Sequence, residues 1–146
     1  MSKSKRRFDL TVLPGSFAIV HLAADAPFPR WAAQGNFFSV TRTSDDVSVV
    51  CAEDQVPKDV RAEASWRILK VKGPFALSEV GVLAGLSAPL AEAKVSLFAI
   101  STFDTDYLLV NEKQLLAAIA ALRGAGHRIK ESGTAASHNL SRRKTG

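Results

Sequence analysis

The hydrophobic pattern of the first half predicts short strands separated by polar turns. The segment FDLTVLPGSFAIVHL contains two strand-like runs around Pro14 and Gly15, where proline presets φ and glycine supplies a positive φ. NFFSVTRTSDDVSVVC follows the order strand, polar turn, strand, and WRILKVKG alternates apolar and basic residues as a further strand. Helical signals are weaker: PRWAAQ fits a single helical turn, and QVPKDVRAEAS predicts a short helix with Pro57 in its first turn.

The pattern of the second half is more regular. Ser78 is placed to cap a helix with apolar residues at helical spacing, and Pro89 four residues after Gly85 predicts a bend rather than a break. KVSLFAIST and TDYLLV predict strands. NEKQLLAAIAALRGAG predicts a helix capped by Asn111, with Gln114 three residues on and a glycine stop, and HRI adds a last short strand.

The two halves match one another at an offset of 60 residues without a gap. The matched pairs include Phe38 with Phe98, Val40 with Ile100, Asp46 with Asp106, and Val50 with Val110. Each half has roughly the order strand, helix, strand, strand, helix. Two strands joined by a helical crossover, twice over, indicate an α+β plan of the βαββαβ type, with an antiparallel sheet and helices on one face. The first copy has the poorer helices, so we interpret it as degenerate.

The net charge of +5 is concentrated at the two ends of the chain. Residues 1–7 carry +4 and residues 127–146 also carry +4, which leaves −3 for residues 8–126. A nucleic-acid-binding protein is expected to place a basic stripe on its folded surface. We therefore interpret residues 1–7 and 131–146 as disordered basic ends, with weak contact to phosphates as the alternative, and do not expect a nucleic-acid partner.

Length, apolar runs and cysteine content limit the class of protein further. The 146 residues allow one compact unit or two very small ones. No apolar run reaches the ~18 residues of a membrane span, and the basic start lacks the features of a secretion signal. Cys51 is the single cysteine, so no disulfide can form within the chain. Together these features predict a cytoplasmic protein without a membrane partner.

Two carboxylates interrupt the long apolar segment between residues 81 and 110. Asp104 and Asp106 either satisfy the backbone of a turn or are available to a positively charged ligand, and spacing alone favours the turn. Glu79 presents a similar choice, because an acid in the first turn of a helix is stabilised by the helix dipole without any ligand.

The segment GVLAGLSAPLAEAKVSLFAISTFDTDYLLV resembles an ACT domain, the small regulatory module attached to aspartate kinase and other amino-acid enzymes. The shared features are a glycine-led helix, the LAEA sequence, a strand ending in IST and a hydrophobic third strand. Together with FSVTRTSDDVSVVC in the first half, they resemble the stand-alone tandem ACT proteins of the aspartate-kinase-like or CASTOR type over about residues 8–126. The resemblance implies two ferredoxin-like βαββαβ ACT modules in tandem, at residues 8–64 and 65–130.

The same resemblance implies a ligand site. ACT modules pair side by side and bind amino acids at the seam, and in CASTOR-type sensors the ligand is arginine. The Asp of the TD pair corresponds to Asp106, and the ligand-binding loop corresponds to 74–83, with Gly81 as the point of close backbone approach. The implied ligand-binding residues are Leu77, Ser78, Glu79, Val80, Gly81, Val82, Thr102, Phe103, Asp104, Thr105 and Asp106.

The chemistry of a free amino acid suits these elements. The unpaired amides and positive dipole end of the helix beginning at Ser78 suit its carboxylate. A carboxylate at a strand end suits an ammonium or a guanidinium. Both poles of the ligand can therefore be bound without any catalytic group.

Catalytic and cofactor motifs are not evident. His21, His127 and His138 lack partners at a recurring metal-ligand spacing, and the sequence contains neither a P-loop nor a GxGxxG motif. We expect no metal, no cofactor and no enzymatic activity. We predict a regulatory protein that binds an amino acid, arginine or another small one, and forms a homodimer. The alternative is a ligand-free interaction module that dimerises or docks on a metabolic enzyme.

Overall fold

Eight strands and two α-helices form the part of the chain that the structure describes, residues 6–131 of a computed structural model. The strands are β1 (Asp9–Val12), β2 (Phe17–Leu22), β3 (Ser39–Arg42), β4 (Val47–Ala52), β5 (Ala62–Val71), β6 (Phe98–Ser101), β7 (Asp106–Asn111) and β8 (Arg128–Glu131). The α-helices are α1 (Val82–Glu92) and α2 (Leu115–Gly124), and 3-10 turns lie at Arg30–Ala32, Glu53–Gln55 and Glu112–Gln114.

These elements divide into two compact units. The larger unit comprises residues 6–14 and 67–131 of the described chain, and the smaller unit comprises residues 15–66. The predicted disordered ends lie mostly outside the described residues; within them, Arg6 makes defined contacts and Glu131 ends β8.

The sheet of the larger unit has the order β6-β7-β5-β1-β8. Its register places Leu10 of β1 opposite Val71 of β5 in an antiparallel pair and opposite Ile129 of β8 in a parallel pair. The sequence pattern had assigned β1 to the first half of the chain, whereas the structure groups it with the second half. Phe8, Leu10 and Val12 alternate toward the buried core of this unit, which explains why the strand inserts there.

Both helices of the larger unit pack on one face of that sheet. Leu86 and Leu90 of α1 and Leu122 of α2 join Leu69 and Leu108 of the sheet in a single buried cluster. Burying side chains of this size contributes about 1.5–3 kcal/mol each. The expectation that α1 would remain one helix across Pro89 is confirmed.

The starts of both helices differ from the sequence prediction. Ser78 does not cap α1. The N-cap position is held by Gly81, which has a φ of +86° and no side chain to cap the helix. Asn111 caps the 3-10 turn before α2, where its side chain accepts the N–H of Lys113 at 3.0 Å. Gln114 does not complete a capping box, because its amide instead binds Lys94 O at 3.1 Å.

The smaller unit has the strand order β3-β4-β2-β5, with residues 62–66 of β5 at its edge. Ala18, Val20, Val47, Val49 and Cys51 form its buried cluster together with Ala32. All residues from 15 to 66 are described, and none lies in an α-helix. The helix predicted for QVPKDVRAEAS is therefore wrong: its first residue ends a 3-10 turn, and its last residues pair as a strand with β2, which outweighs their helical propensity.

The two β-hairpins correspond at an offset of 59 residues, one less than the sequence alignment gave. Ser39 lies opposite Val50 in the β3-β4 pair, and Phe98 lies opposite Leu109 in the β6-β7 pair. This correspondence aligns the buried runs 49–51 and 108–110. It also makes Asp46 the counterpart of Thr105 rather than of Asp106.

Candidate functional site

One cavity of the larger unit gathers most of the residues that the sequence assigned to a ligand site. Its volume is about 300 Å³, and it is formed by the loop before α1, the start of α1 and the turn between β6 and β7. The predicted residues that line it are Leu77, Glu79, Gly81, Val82, Thr102, Phe103, Asp104, Thr105 and Asp106. Ser78 and Val80 do not line it. Binding of a ligand by these residues stays a prediction.

The start of α1 forms one side of this cavity. The preceding loop contains a separate turn in which Glu79 N–H donates to Ala76 O at 2.9 Å. Gly81 adopts a left-handed conformation that suits glycine, and its carbonyl accepts the N–H of Gly85 at 3.0 Å. Residues 82–84 line the cavity and belong to the first helical turn, whose amides have no carbonyl partner within the helix.

In the turn between β6 and β7, the side chain that hydrogen-bonds to the backbone is a threonine rather than an aspartate. The backbone N–H and the hydroxyl of Thr102 both donate to Thr105 O, at 2.8 and 3.2 Å, and the Thr102 hydroxyl accepts Thr105 N–H at 3.3 Å. Asp106 instead accepts the hydroxyl of Ser101 at 2.5 Å. Within residues 6–131, the carboxylate of Asp104 makes no hydrogen bond. Neither carboxylate is therefore used to satisfy the turn backbone.

A close backbone approach fixes this turn against the end of β5. Asp104 O accepts the N–H of Phe75 at 2.8 Å, and a Cβ added to Gly73 would lie 2.8 Å from the same oxygen. The buried hydroxyl of Thr105 donates to Val71 O at 2.6 Å. Two hydrogen bonds and the close approach of Gly73 thus fix the backbone position of Asp104.

The charges around the cavity are mostly negative. Glu79 is paired with Arg6, whose guanidinium lies 2.9 Å from its carboxylate and also donates to Val80 O at 3.3 Å. Glu79 precedes the helix, so it does not have the first-turn position expected for it. Among the described residues that line the cavity, none is a lysine or an arginine. Asp104 and Asp106 therefore dominate its electrostatics.

Sequence reasoning missed three contributors. Ser101 and Ala84 line the cavity, and Arg6 positions its loop from the other end of the chain. The register of the β6-β7 hairpin places Ser101 opposite Asp106, and a strand-pairing argument would have found it. Arg6 and Glu79 are far apart in sequence, and no local pattern connects them.

Two buried titratable groups lie outside the cavity. Burial lowers the pKa of His127, whose Nδ1 accepts the N–H of Phe8 at 3.1 Å. Burial also raises the pKa of the Cys51 thiol to about 11. Both groups are accordingly neutral near pH 7 and have packing roles in their units.

Two further features are absent from residues 6–131. Between residues 6 and 131, no helix is both long and apolar enough to cross a membrane. Over the same range, His, Cys, Asp and Glu side chains form no cluster suited to a metal ion.

The geometry defines a small α+β module with a ligand-sized cavity between a helix start and a β-turn. Residues 61–124 match the family model described as ACT domain, and residues 15–59 match a model of an N-terminal domain. A crystal structure of a protein from Agobacterium tumefaciens is 39% identical and covers 87% of this chain and 95% of its own, with a TM-score of 0.83. The chain therefore belongs to the ACT-domain family.

The similar proteins include an arginine sensor, and a kinase regulatory subunit shares the fold. The cytosolic arginine sensor for mTORC1 subunit 1 of Bos taurus is 32% identical over an alignment of 120 positions that covers 75% of this chain, and the chain is in this sense CASTOR-like. This chain spans only 36% of that relative's length. The regulatory subunit of aspartate kinase from Thermus thermophilus has a TM-score of 0.56 at 13% identity, covering 80% of this chain and 96% of its own, and so shares the fold.

Proposed function

We propose that this chain is a non-enzymatic regulatory protein that binds a free amino acid in the cavity of the larger unit. One observation supports this most strongly: residues 82–84 in the first turn of α1 line the same cavity as Asp104 and Asp106. The amides suit the carboxylate of an amino acid, and the aspartates suit its ammonium group. Neither interaction requires a reacting group.

A cationic amino acid fits the cavity best, with arginine as the first candidate. Two carboxylates exceed what a single α-ammonium requires, and the second can accept a guanidinium in a bidentate arrangement. The relative from Bos taurus is named as an arginine sensor, which points to the same ligand. Its name also places that protein in the cytosol, and we propose the same location for this chain.

We further propose that the chain contains two ferredoxin-like modules in tandem. Support comes from the strand order of the smaller unit and from the two hairpins that correspond at an offset of 59 residues. In the first module, 3-10 turns would replace the α-helices. The modules would then occupy residues 15–66 and 67–131, with β1 added to the second.

A second copy of the chain is the proposed partner at the cavity rim. Leu77, Val80 and Phe103 are 74%, 80% and 77% exposed on the loop and turn that form the cavity. Large apolar side chains exposed close together are typical of interaction surfaces. Light scattering after size exclusion should give twice the monomer mass, and Phe103→Ser should shift it toward the monomer.

A thermal-shift screen against the twenty amino acids tests ligand binding. A ligand present at 100 times its Kd should stabilise the protein by roughly 2.7 kcal/mol. Arginine should raise the melting temperature more than citrulline, which has the same length without the charge. A screen in which no amino acid changes the melting temperature, with an intact dimer, would support a ligand-free interaction module instead.

Matched variants test the two carboxylates. Asp104→Ala should lower the affinity for arginine at least tenfold. Asp45→Ala, at the corresponding position of the other hairpin, should leave the affinity for arginine unchanged. Asp106→Ala also removes the hydrogen bond from Ser101. Ser101→Ala removes that bond but keeps the carboxylate, so equal losses in the two variants would exclude Asp106 as a direct contact.

A further inference from the structure

One part of the sheet face that points away from α1 and α2, formed by β1, β8 and the end of β5, is strongly basic. Leu10, Leu69, Val71 and Ile129 lie in the cluster that the helices cover. Because side chains alternate along a strand, their neighbours point to the opposite face. The cations among those neighbours are Lys70 near the end of β5, Lys72 directly after it, and Arg128 and Lys130 from β8, and we call these four residues the basic face.

The register arranges these cations in two rows. Thr11 of β1 lies opposite both Lys70 and Lys130, so these two flank it in one row. Asp9 lies opposite Arg128, and its carbonyl accepts the N–H of Lys72 at 2.7 Å, which forms the second row. Strand spacing separates the cations of one row by about 10 Å at the backbone, and two residues of rise separate the rows by about 7 Å.

The basic face encloses a shallow cavity of about 430 Å³. The residues lining it are Asp9, Leu10, Thr11, Lys70, Lys72, Arg128, Ile129 and Lys130. Its single acid is Asp9, whose carboxylate lies 2.8 Å from the Arg128 guanidinium, so the lining carries a net charge of +3. Like charges at these separations repel one another, and a bound anion would remove that cost.

The net charge of the sequence does not reveal the basic face. Residues 8–126 carry −3 in total, and Lys70 and Lys72 belong to that range. Only the pairing of β5 and β8 with β1 brings them next to Arg128 and Lys130. The folded surface thus has the basic stripe that the sequence pattern did not reveal.

We propose that the basic face binds the phosphate backbone of a single-stranded nucleic acid. A positively charged groove with cations from several strands can track an extended phosphate chain. Tyr107 adds an aromatic ring beside the cations, with the ammonium of Lys70 6.0 Å from its centroid, and such rings stack with bases. The sequence supplies further cations before β1 (Lys3, Lys5) and after β8 (Arg142, Arg143, Lys144), which favours a polyanion longer than the cavity.

Fluorescence anisotropy with a labelled oligothymidylate of about 12 nucleotides tests the proposal. The full chain should bind, with an affinity that falls steeply between about 50 and 200 mM salt. The double variant Lys70→Glu/Lys130→Glu should bind at least tenfold more weakly and show a shallower salt dependence. Lys58→Glu/Lys113→Glu makes the same charge change at exposed positions outside the basic face and should keep the wild-type affinity.

Several outcomes would overturn the assignment. These are no binding at about 50 mM salt, equal losses in the two double variants, or displacement of the oligonucleotide by pyrophosphate at the same phosphate concentration. The last outcome would assign the face to small phosphate anions. Lys70→Gln/Lys130→Gln should also weaken binding, and it replaces the charge-reversed variant if circular dichroism shows that the latter does not fold.

Discussion

The close approach between Gly73 and the turn of the candidate site leads to the sharpest prediction from this structure. In Gly73→Ala, the new Cβ would lie 2.8 Å from Asp104 O and 3.1 Å from the Cβ of Thr105. Both distances are shorter than ordinary van der Waals contact, and the first neighbour is backbone, which cannot rotate away. The turn must therefore move relative to the end of β5.

The cost of that movement follows from the contacts it disturbs. Asp104 O accepts the N–H of Phe75, and Thr105 donates to Val71 O, so both hydrogen bonds join the displaced segments. Overpacking of this kind costs about 1–3 kcal/mol. For a chain of this length, we expect the melting temperature to fall by roughly 2–12 °C. The proposed ligand affinity should fall as well, because Asp104 moves with the turn.

Gly124→Ala is the matched control. Gly124 is the last residue of α2, and a Cβ at this position meets no heavy atom within 4 Å. Alanine should therefore be neutral or stabilise the protein by up to about 1 kcal/mol. Thermal unfolding followed by far-UV circular dichroism compares the two variants. An unchanged melting temperature in Gly73→Ala would refute the idea that this approach constrains the turn, whatever the ligand results.

Three further predictions concern buried polar groups. Thr105→Val should cost about 1–3 kcal/mol in chemical denaturation, because Val71 O loses its hydroxyl donor inside the protein. Burial lowers the pKa of His127 below its unfolded value of about 6.5, so the stability it contributes is present above that pH and is lost as the pH falls through the folded pKa; His127→Gln should flatten this part of the pH profile. Cys51, with its pKa raised to about 11, should react with a thiol reagent at pH 8 far more slowly in the folded than in the unfolded protein.

Local patterns predicted the elements of the second half well because those elements are defined locally. β6 forms from the second half of KVSLFAIST, TDYLLV overlaps β7 from Asp106 on, and HRI overlaps the start of β8. The convergence of loop 74–83 and Asp106 on one cavity followed from the family resemblance, since periodicity does not specify which elements meet. The helix start was misplaced at Ser78 because a capping residue was preferred to Gly81.

Long-range pairing accounts for what the sequence did not predict. The insertion of β1 depends on residues about sixty positions away in β5, and residues 62–66 form a strand because β2 offers unpaired backbone groups. Arg6 reaches Glu79 only after β1 has been placed in the larger unit. The basic face has the same origin, since its cations come from strands that are distant in sequence.

Comparison of the two hairpins explains why the larger unit is the candidate for ligand binding. Thr43 and Thr102 satisfy their turns in the same way, so the turn itself does not distinguish them. In the first hairpin, Val47 occupies the position of Asp106 and is fully buried. The smaller unit also has no α-helix in residues 15–66, all of which are described, and so lacks the first turn of an α-helix at a comparable position. The features that suit the two poles of an amino acid are therefore combined only in the second hairpin and the helix before it.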